Sequence, residues 1–350
     1  MGVARGLMSL GLEGTGAADS TLIPEDYAGF HGTPLFLSEA SMRFSVRNHR
    51  FLGFFPPYRT LEVLTSPTQI PDGPLPSRGF GLLWNLGAGD VVSGLRAIRE
   101  RPPGLALVIL LPPSAAVQSQ ERLLDLVEQS RPHSILPHMA EVETEEIAVV
   151  LRRFPSEFAL EVTDYLTWRR IDVDMETRRL LRKTLELSDH LRTVNGLARS
   201  LYMSRRALGR RFMTRGLPVP SHWLHFGRVL RASILLQEPA ASLFGVSCEL
   251  GYPDGFALSN QMKRLTGLRP SIMKECFGWE WIVESWLHHE AAEGNLAPRL
   301  TNVLFPQQNH GTGRHNKVAS VGGTAVPVGA MSVAEVLPKR KRAQGHLSES

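Results

Sequence analysis

Two stretches of this chain repeat one plan, and the repetition commits the region they span to an all-helical unit. VNGLARSLYMSRRALGRRF (194–212) reads as a helix, a tight turn and a second helix. AASLFGVSCELGYPDGFALSNQMKRLTG (240–267) reads the same way. One such αα-hairpin constrains little, because the motif is common. Two in tandem, joined by the amphipathic stretch SHWLHFGRVLRASILLQ (221–237), are far more specific.

The spacing of apolar residues assigns faces to both second helices. Leu208 and Phe212 are four apart, so they share a face and turn inward. Arg206 and Arg210 hold the same spacing on the opposite face. Ser204 stands where an N-cap is needed, and a capped helix start aims free amides outward. Arg205, Arg211 and Arg215 flank that face. In the second unit Leu258, Met262 and Leu265 form the inward stripe, with Phe256, Asn260 and Lys263 opposite. Ser259 and Arg264 lie beside them.

The charge follows the same segment. Residues 189–275 carry 13 Lys/Arg against 5 Asp/Glu, whereas the rest of the chain carries 26 against 29. A net positive segment inside a mildly acidic remainder is the electrostatic footprint of a nucleic-acid binder, the plain alternative being a solvated basic face. Double-stranded DNA is the expected partner. Arginine pairs bidentately with guanine O6 and N7, so Arg206 and Arg210 are the candidate base readers, with phosphate or solvent as their other destinations. Asn260 suits adenine. Phe256 either presses on a thymine methyl or packs inward. Ser204, Arg205, Arg211, Arg215, Ser259, Lys263 and Arg264 complete the expected contact set, largely to phosphate.

The same residues resemble the DNA-binding domain of AraC/XylS-type transcription regulators. LARSLYMSRRALGRRF fits that family's first motif through Ser204, Leu208 and Arg210. Residues 221–237 fit its long linking helix. FGVSCELGYPDGFALSNQMKRLTGLRPS (244–271) fits its second motif through Gly251, Tyr252, Lys263, Gly267 and Pro270. The likeness spans roughly a quarter of the chain. It implies a cytoplasmic bacterial regulator that acts without cofactor or catalysis. Two helix-turn-helix units would enter successive major grooves about 34 Å apart. Contact with RNA polymerase is a further implied partner. The chain departs from the pattern at Gly255, Phe256 and Ala257, where polar residues are usual, and at SIMKE (271–275). Those departures suggest that the second unit grips the backbone more than it reads bases.

The front of the chain reads differently. GFGLLWNL (79–86), LALVILL (105–111) and HSILPH (133–138) are expected strands. VVSGLRAIRE (91–100), QERLLDLVEQS (120–130) and TEEIAVVLRRF (144–154) are expected helices, the last capped by Thr144. FLGFF and LEVL, between Ser41 and Arg78, suggest further strands. This rhythm predicts an α/β domain with a parallel sheet covered on both faces. It resembles the back half of a response-regulator receiver, without that fold's chemistry. Asn85 stands where an aspartate would accept phosphate, and an amide forms no acyl phosphate. Such a pseudo-receiver would serve dimerisation, partner contact or ligand sensing, and another small α/β sensor is the alternative.

The expected organisation is a flexible segment at 1–40, the α/β domain at 41–156, a helical connector at 157–188, the DNA-binding domain at 189–290 and a disordered basic tail at 291–350. Trp279, Trp281 and Trp286 would pack a terminal helix onto that domain. PKRKR (338–342) in the tail reads as a cationic patch adding non-specific DNA affinity, or as a nuclear signal in a eukaryote. No uncharged apolar run reaches the length of a membrane span, about 18 residues. Cys248 and Cys276 lack metal spacing, as do His288–His289 and His310/His315, and NLGAGD (85–90) lacks a full phosphate-loop pattern. Two other functions fit less well: a DNA-binding adaptor with little sequence preference, and an α/β enzyme with an accessory basic domain. The strand ends of the front domain offer Pro, Asn and apolar residues rather than titratable pairs.

Overall fold

The computed structural model describes residues 42–70, 79–113 and 120–306. The segment expected to be flexible at 1–40, most of the expected tail with PKRKR, and His310/His315 lie outside the described residues.

The front begins with β1 (Arg43–Ser45), β2 (Phe51–Phe54) and β3 (Leu61–Leu64), then a short 3-10 turn at Pro67–Gln69. β4 (Phe80–Asn85), α1 (Val91–Arg99), β5 (Leu105–Leu110), α2 (Gln120–Ser130) and β6 (Ser134–Leu136) follow. β7 (Glu141–Glu143) leads directly into α3 (Thr144–Arg152). The main sheet runs β3-β2-β4-β5-β6, and β1 pairs separately with β7.

This sheet is mixed, which corrects the expectation of a parallel one. β4, β5 and β6 are parallel, but β2 lies antiparallel to both β3 and β4. The connection between β2 and β3 is only residues 55–60. A parallel crossover needs a dozen residues or more, so this pair can only fold back on itself. The receiver-like rhythm therefore extends only over the three parallel strands. Alternate residues of the sheet serve two cores. Leu82, Trp84, Leu107 and Ile109 pack under α1 and α2 through Ile98 and Leu126. Leu83, Ala106, Val108 and Leu110 pack under α3 through Ile147 and Leu151. Gly94 in α1 is dictated by Trp84, because a Cβ there would lie 2.8 Å from the indole.

Thr144 is not the cap of α3. Glu143 holds that position, and its N–H donates to the Glu146 carboxylate at 3.1 Å. Thr144 is drawn into the first turn because β7 runs straight into the helix.

The remainder is helical: α4 (Phe158–Trp168), α5 (Met175–Glu186), α6 (Val194–Ser200), α7 (Arg205–Thr214) and α8 (Pro220–Leu236). Then come α9 (Leu243–Glu249), α10 (Gly255–Thr266), α11 (Pro270–Glu275), α12 (Glu280–Ala292) and α13 (Pro298–Leu304). The stretch read as a connector is α4 and α5, and it is no loose link. Phe158, Val162, Tyr165, Leu181 and Leu185 are buried in one core with α7, α8, α10 and α12. The tail expected to be disordered from residue 291 instead starts with the end of α12 and contains α13, whose Leu300 and Leu304 are also buried there. Apolar spacing over the seven residues of this Pro-started helix is too brief a pattern to announce it.

Of the three tryptophans, Trp286 packs α12 onto the DNA-binding domain as expected, whereas Trp279 meets Tyr165 of α4 and Trp281 lies against Gly79. Trp281 and Trp286 are fully buried, and Trp286 stacks on Phe226 of α8 with centroids 4.1 Å apart. α12 also meets the front sheet. A Cβ on Gly278 would lie 2.9 Å from the Ala106 side chain on β5, and Phe277 stacks on Tyr58 at 4.1 Å. Polar contacts bind the same seam. Tyr165 Oη accepts from the Gly104 N–H at 3.0 Å and donates to Glu284 at 2.8 Å. Arg169 grips Glu284 through both carboxylate oxygens, at 2.6 and 3.1 Å. His133 and Glu280 form a second buried pair at 2.8 Å. Sheet and helical body thus share both apolar and buried polar contacts.

Candidate nucleic-acid interface

Two helix pairs, α6/α7 and α9/α10, are built alike and flank α8. Each first helix is capped by a hydroxyl: Thr193 accepts from the Gly196 N–H at 3.1 Å, and Ser242 from the Gly245 N–H at 2.9 Å. Each turn closes with the same hydrogen bond. The Met203 N–H donates to the Ala198 carbonyl at 2.9 Å, and the Tyr252 N–H to the Ser247 carbonyl at 2.8 Å. Both turns need a left-handed residue, Tyr202 (φ 53°) and Gly251 (φ 66°). Glycine adopts that conformation freely, whereas an ordinary L-residue there costs about 1–2 kcal/mol.

α7 follows the faces expected of it. Ser204 Oγ accepts from the Ala207 N–H at 3.1 Å and so caps the helix. Leu208 and Phe212 are fully buried. Arg205, Arg206 and Arg210 are exposed, and none has an ion pair or side-chain hydrogen bond among the described residues. Gly209 leaves open space beside them.

Arg211 and Arg215 are placed otherwise. Both turn back onto the N-terminus of α5, where Asp174 takes Arg211 Nη2 and Arg215 Nε at 2.7 Å each, and Glu176 takes Arg211 as well. Asp174 also caps α5, accepting from the Thr177 N–H at 3.1 Å and its hydroxyl at 2.8 Å. The Thr177 hydrogen bonds, with Arg211 beside them, hold the Asp174 carboxyl well below the usual carboxylate range. Two of the expected phosphate contacts are thus occupied within the protein. Their partners lie more than thirty residues upstream, and only the packing of α5 on the body brings them together.

α10 also presents its expected faces. Asp254 caps it through the Ala257 N–H at 2.7 Å, and Gly267 (φ 73°) ends it. Leu258 and Met262 are fully buried, and Leu265 nearly so. Asn260, Lys263 and Arg264 are exposed, and Ser259 is partly so. Phe256 is 81% exposed, which removes the reading of it as core. Gly255 fits closely beneath Leu243, where a Cβ would meet the side chain at 3.3 Å.

In the front domain, Asn85 is a buried tie. Its amide donates to the Val46 carbonyl at 2.7 Å, and its oxygen accepts from the Gly87 N–H at 2.9 Å. The following loop leads into α1, whose N-terminus is capped by the Asp90 carboxylate through the Ser93 N–H at 2.8 Å.

Residues 197–275 match the family model described as a helix-turn-helix domain. Comparison with curated proteins and with solved structures finds no match. No helix among the described residues is long and apolar enough to cross a membrane.

Proposed function

We propose that this chain, which carries an AraC/XylS-type DNA-binding domain toward its C-terminus, is a transcription regulator that reads sequence unequally with two helix-turn-helix units. α7 and α10 enter successive major grooves on one face of the duplex, about 34 Å apart. Arg206 and Arg210 read bases, and Ser204 and Arg205 hold nearby phosphates. Asn260 and Phe256 contribute a weaker reading, with Ser259, Lys263 and Arg264 on the backbone. One observation carries this proposal. On a short capped helix, one face is fully buried through Leu208 and Phe212, while the arginines of the other face have no partner among the described residues. Unpaired guanidinium forks on a rigid helix are suited to bidentate recognition of guanine.

The front domain does not switch by phosphorylation in this proposal. Asn85 cannot form an acyl phosphate, and its amide is engaged on both sides. A signal arriving in the front domain would reach the helical body through α12.

Selection from a random duplex pool tests the whole proposal, since a regulator of this kind enriches a defined site. On that site, Arg210→Ala should cost about 1–3 kcal/mol and relax preference at one base pair. Lys263→Ala should weaken selected and scrambled duplexes alike. Equal loss on both duplexes for Arg210→Ala would sink the base-reading role.

A further inference from the structure

A cavity of about 430 Å³ lies between α8, the α9–α10 turn and the residues just before α6. Its polar walls come from Arg192, His225, Arg228, Tyr252, Asn260 and Arg264, and no Asp or Glu lines it. Arg228 is anchored, donating to the Leu250 carbonyl at 2.7 Å, with its guanidinium 4.3 Å over the Tyr252 ring. Arg192 lies against Gly251, so closely that a Cβ there would be 2.0 Å from its Nη2. Arg264 reaches in from α10. Arg192 and Arg264 have no ion pair among the described residues, and Asp254, close in sequence, is engaged in capping α10.

This concentration of positive charge has no counterion among the described residues. Burial, then Arg264, Arg228 and His222, push the His225 imidazole below its ordinary value. Three atoms of the walls, His225 Nδ1, Arg228 Nε and Tyr252 Oη, are buried without a hydrogen-bond partner among the described residues. Buried polar atoms normally find partners, and like charges gathered in one place are stabilised by an anion between them.

We infer that this cavity is an oxyanion socket for a phosphate group of the DNA backbone, gripped chiefly by Arg192 and Arg264 over a floor made by His225 and Arg228. The inference rests on the DNA-binding reading above and adds residues outside both helix pairs to the contact set. A phosphate so placed would fix how α10 sits in its groove, because Arg264 and Asn260 share that helix while Arg192 and His225 belong to other elements. It would carry no sequence information of its own.

The full-length chain, a duplex it selects and a scrambled duplex of equal length suffice for the test. Affinities are measured from about 50 to about 200 mM salt, and the slope of log K against log [salt] is compared between variants. Arg192→Gln should make the slope shallower by about 0.9, which is roughly a threefold smaller loss of affinity across that range, equally on both duplexes. Arg264→Gln should do the same, and the double variant should go little further, since both residues hold one phosphate. Arg192 is exposed, so its variant should melt like the parent. An unchanged slope for Arg192→Gln overturns the socket, even if the protein still selects its site. A shallower slope in a protein that selects no site keeps the socket and overturns sequence reading instead. Replacing chloride by inorganic phosphate at equal ionic strength forms the second arm. If phosphate raises the melting temperature through Arg192 while the DNA slope stays unchanged, the socket serves a free phosphate and the DNA assignment fails.

Discussion

Glu284 is the residue whose loss should reveal how firmly the helical body is held together. It is fully buried on α12 and accepts from Tyr165 and, through both oxygens, from Arg169. Glu284→Gln keeps the volume but replaces one accepting oxygen with an NH₂ that donates. That NH₂ must face either Arg169 Nε or Nη2, donor against donor. The Arg169 guanidinium, only 13% exposed, is then left without a counter-charge. Breaking a buried pair from one side costs about 3–5 kcal/mol. For a cooperative unit of 150–250 residues, each kcal/mol lowers the melting temperature by about 2–4 °C. The expected fall is therefore roughly 6–20 °C. Urea unfolding followed by tryptophan fluorescence checks it, because Trp279, Trp281 and Trp286 lie on or beside the same helix. The midpoint should drop with the slope m unchanged. Removing both charges with Arg169→Met and Glu284→Met should recover most of the loss, because apolar replacements of similar volume remove the desolvation cost. A Glu284→Gln midpoint matching the parent would refute the reasoning, as would a double variant no better than the single one.

Two further outcomes follow from the same structure. Asp174→Asn keeps a competent N-cap for α5 but removes the ion-pair partner of Arg215, so that arginine becomes free for DNA. The salt slope of DNA binding should steepen by about 0.9, and an unchanged slope would show that Arg215 cannot reach a phosphate. The His133–Glu280 pair should shape stability against pH. Burial opposes the charged imidazole, but Glu280 outweighs it and raises His133 above its ordinary 6.5; likewise burial opposes the Glu280 carboxylate, but His133 outweighs it and lowers Glu280 below its ordinary 4.5. The raised histidine contributes fully below 6.5, and its contribution is lost as pH rises through the raised value. The lowered carboxyl contributes above 4.5, and its contribution is lost as pH falls through the lowered value. Stability from this pair should therefore peak between about 4.5 and 6.5, and His133→Gln should flatten the decline on the alkaline side in urea titrations at stepped pH.

Much of the helical body was legible in the sequence. The four-residue spacings of Leu208/Phe212 and Arg206/Arg210 assign the faces of α7 without any tertiary information, because helix periodicity is local. Ser204 marks the start of α7 for the same reason. β4 and β5 are equally plain, as six-residue apolar runs ending in Asn or Pro signals. α4 and α5 were harder. Their apolar residues are visible, but whether a helix faces solvent or a core depends on what packs against it.

The sequence by itself determined the three parallel strands and most of the helices, which residues of α7 and α10 turn inward, and that positive charge gathers in that region. Each of those properties is set by neighbours within a few positions. Only the tertiary structure decided strand direction in the front sheet, the capture of Arg211 and Arg215 by Asp174, and the meeting of Arg192, His225 and Arg264 around one cavity. Those contacts join residues tens of positions apart. The chain reveals which charges exist, but only packing determines which are neutralised and which remain free to meet a ligand.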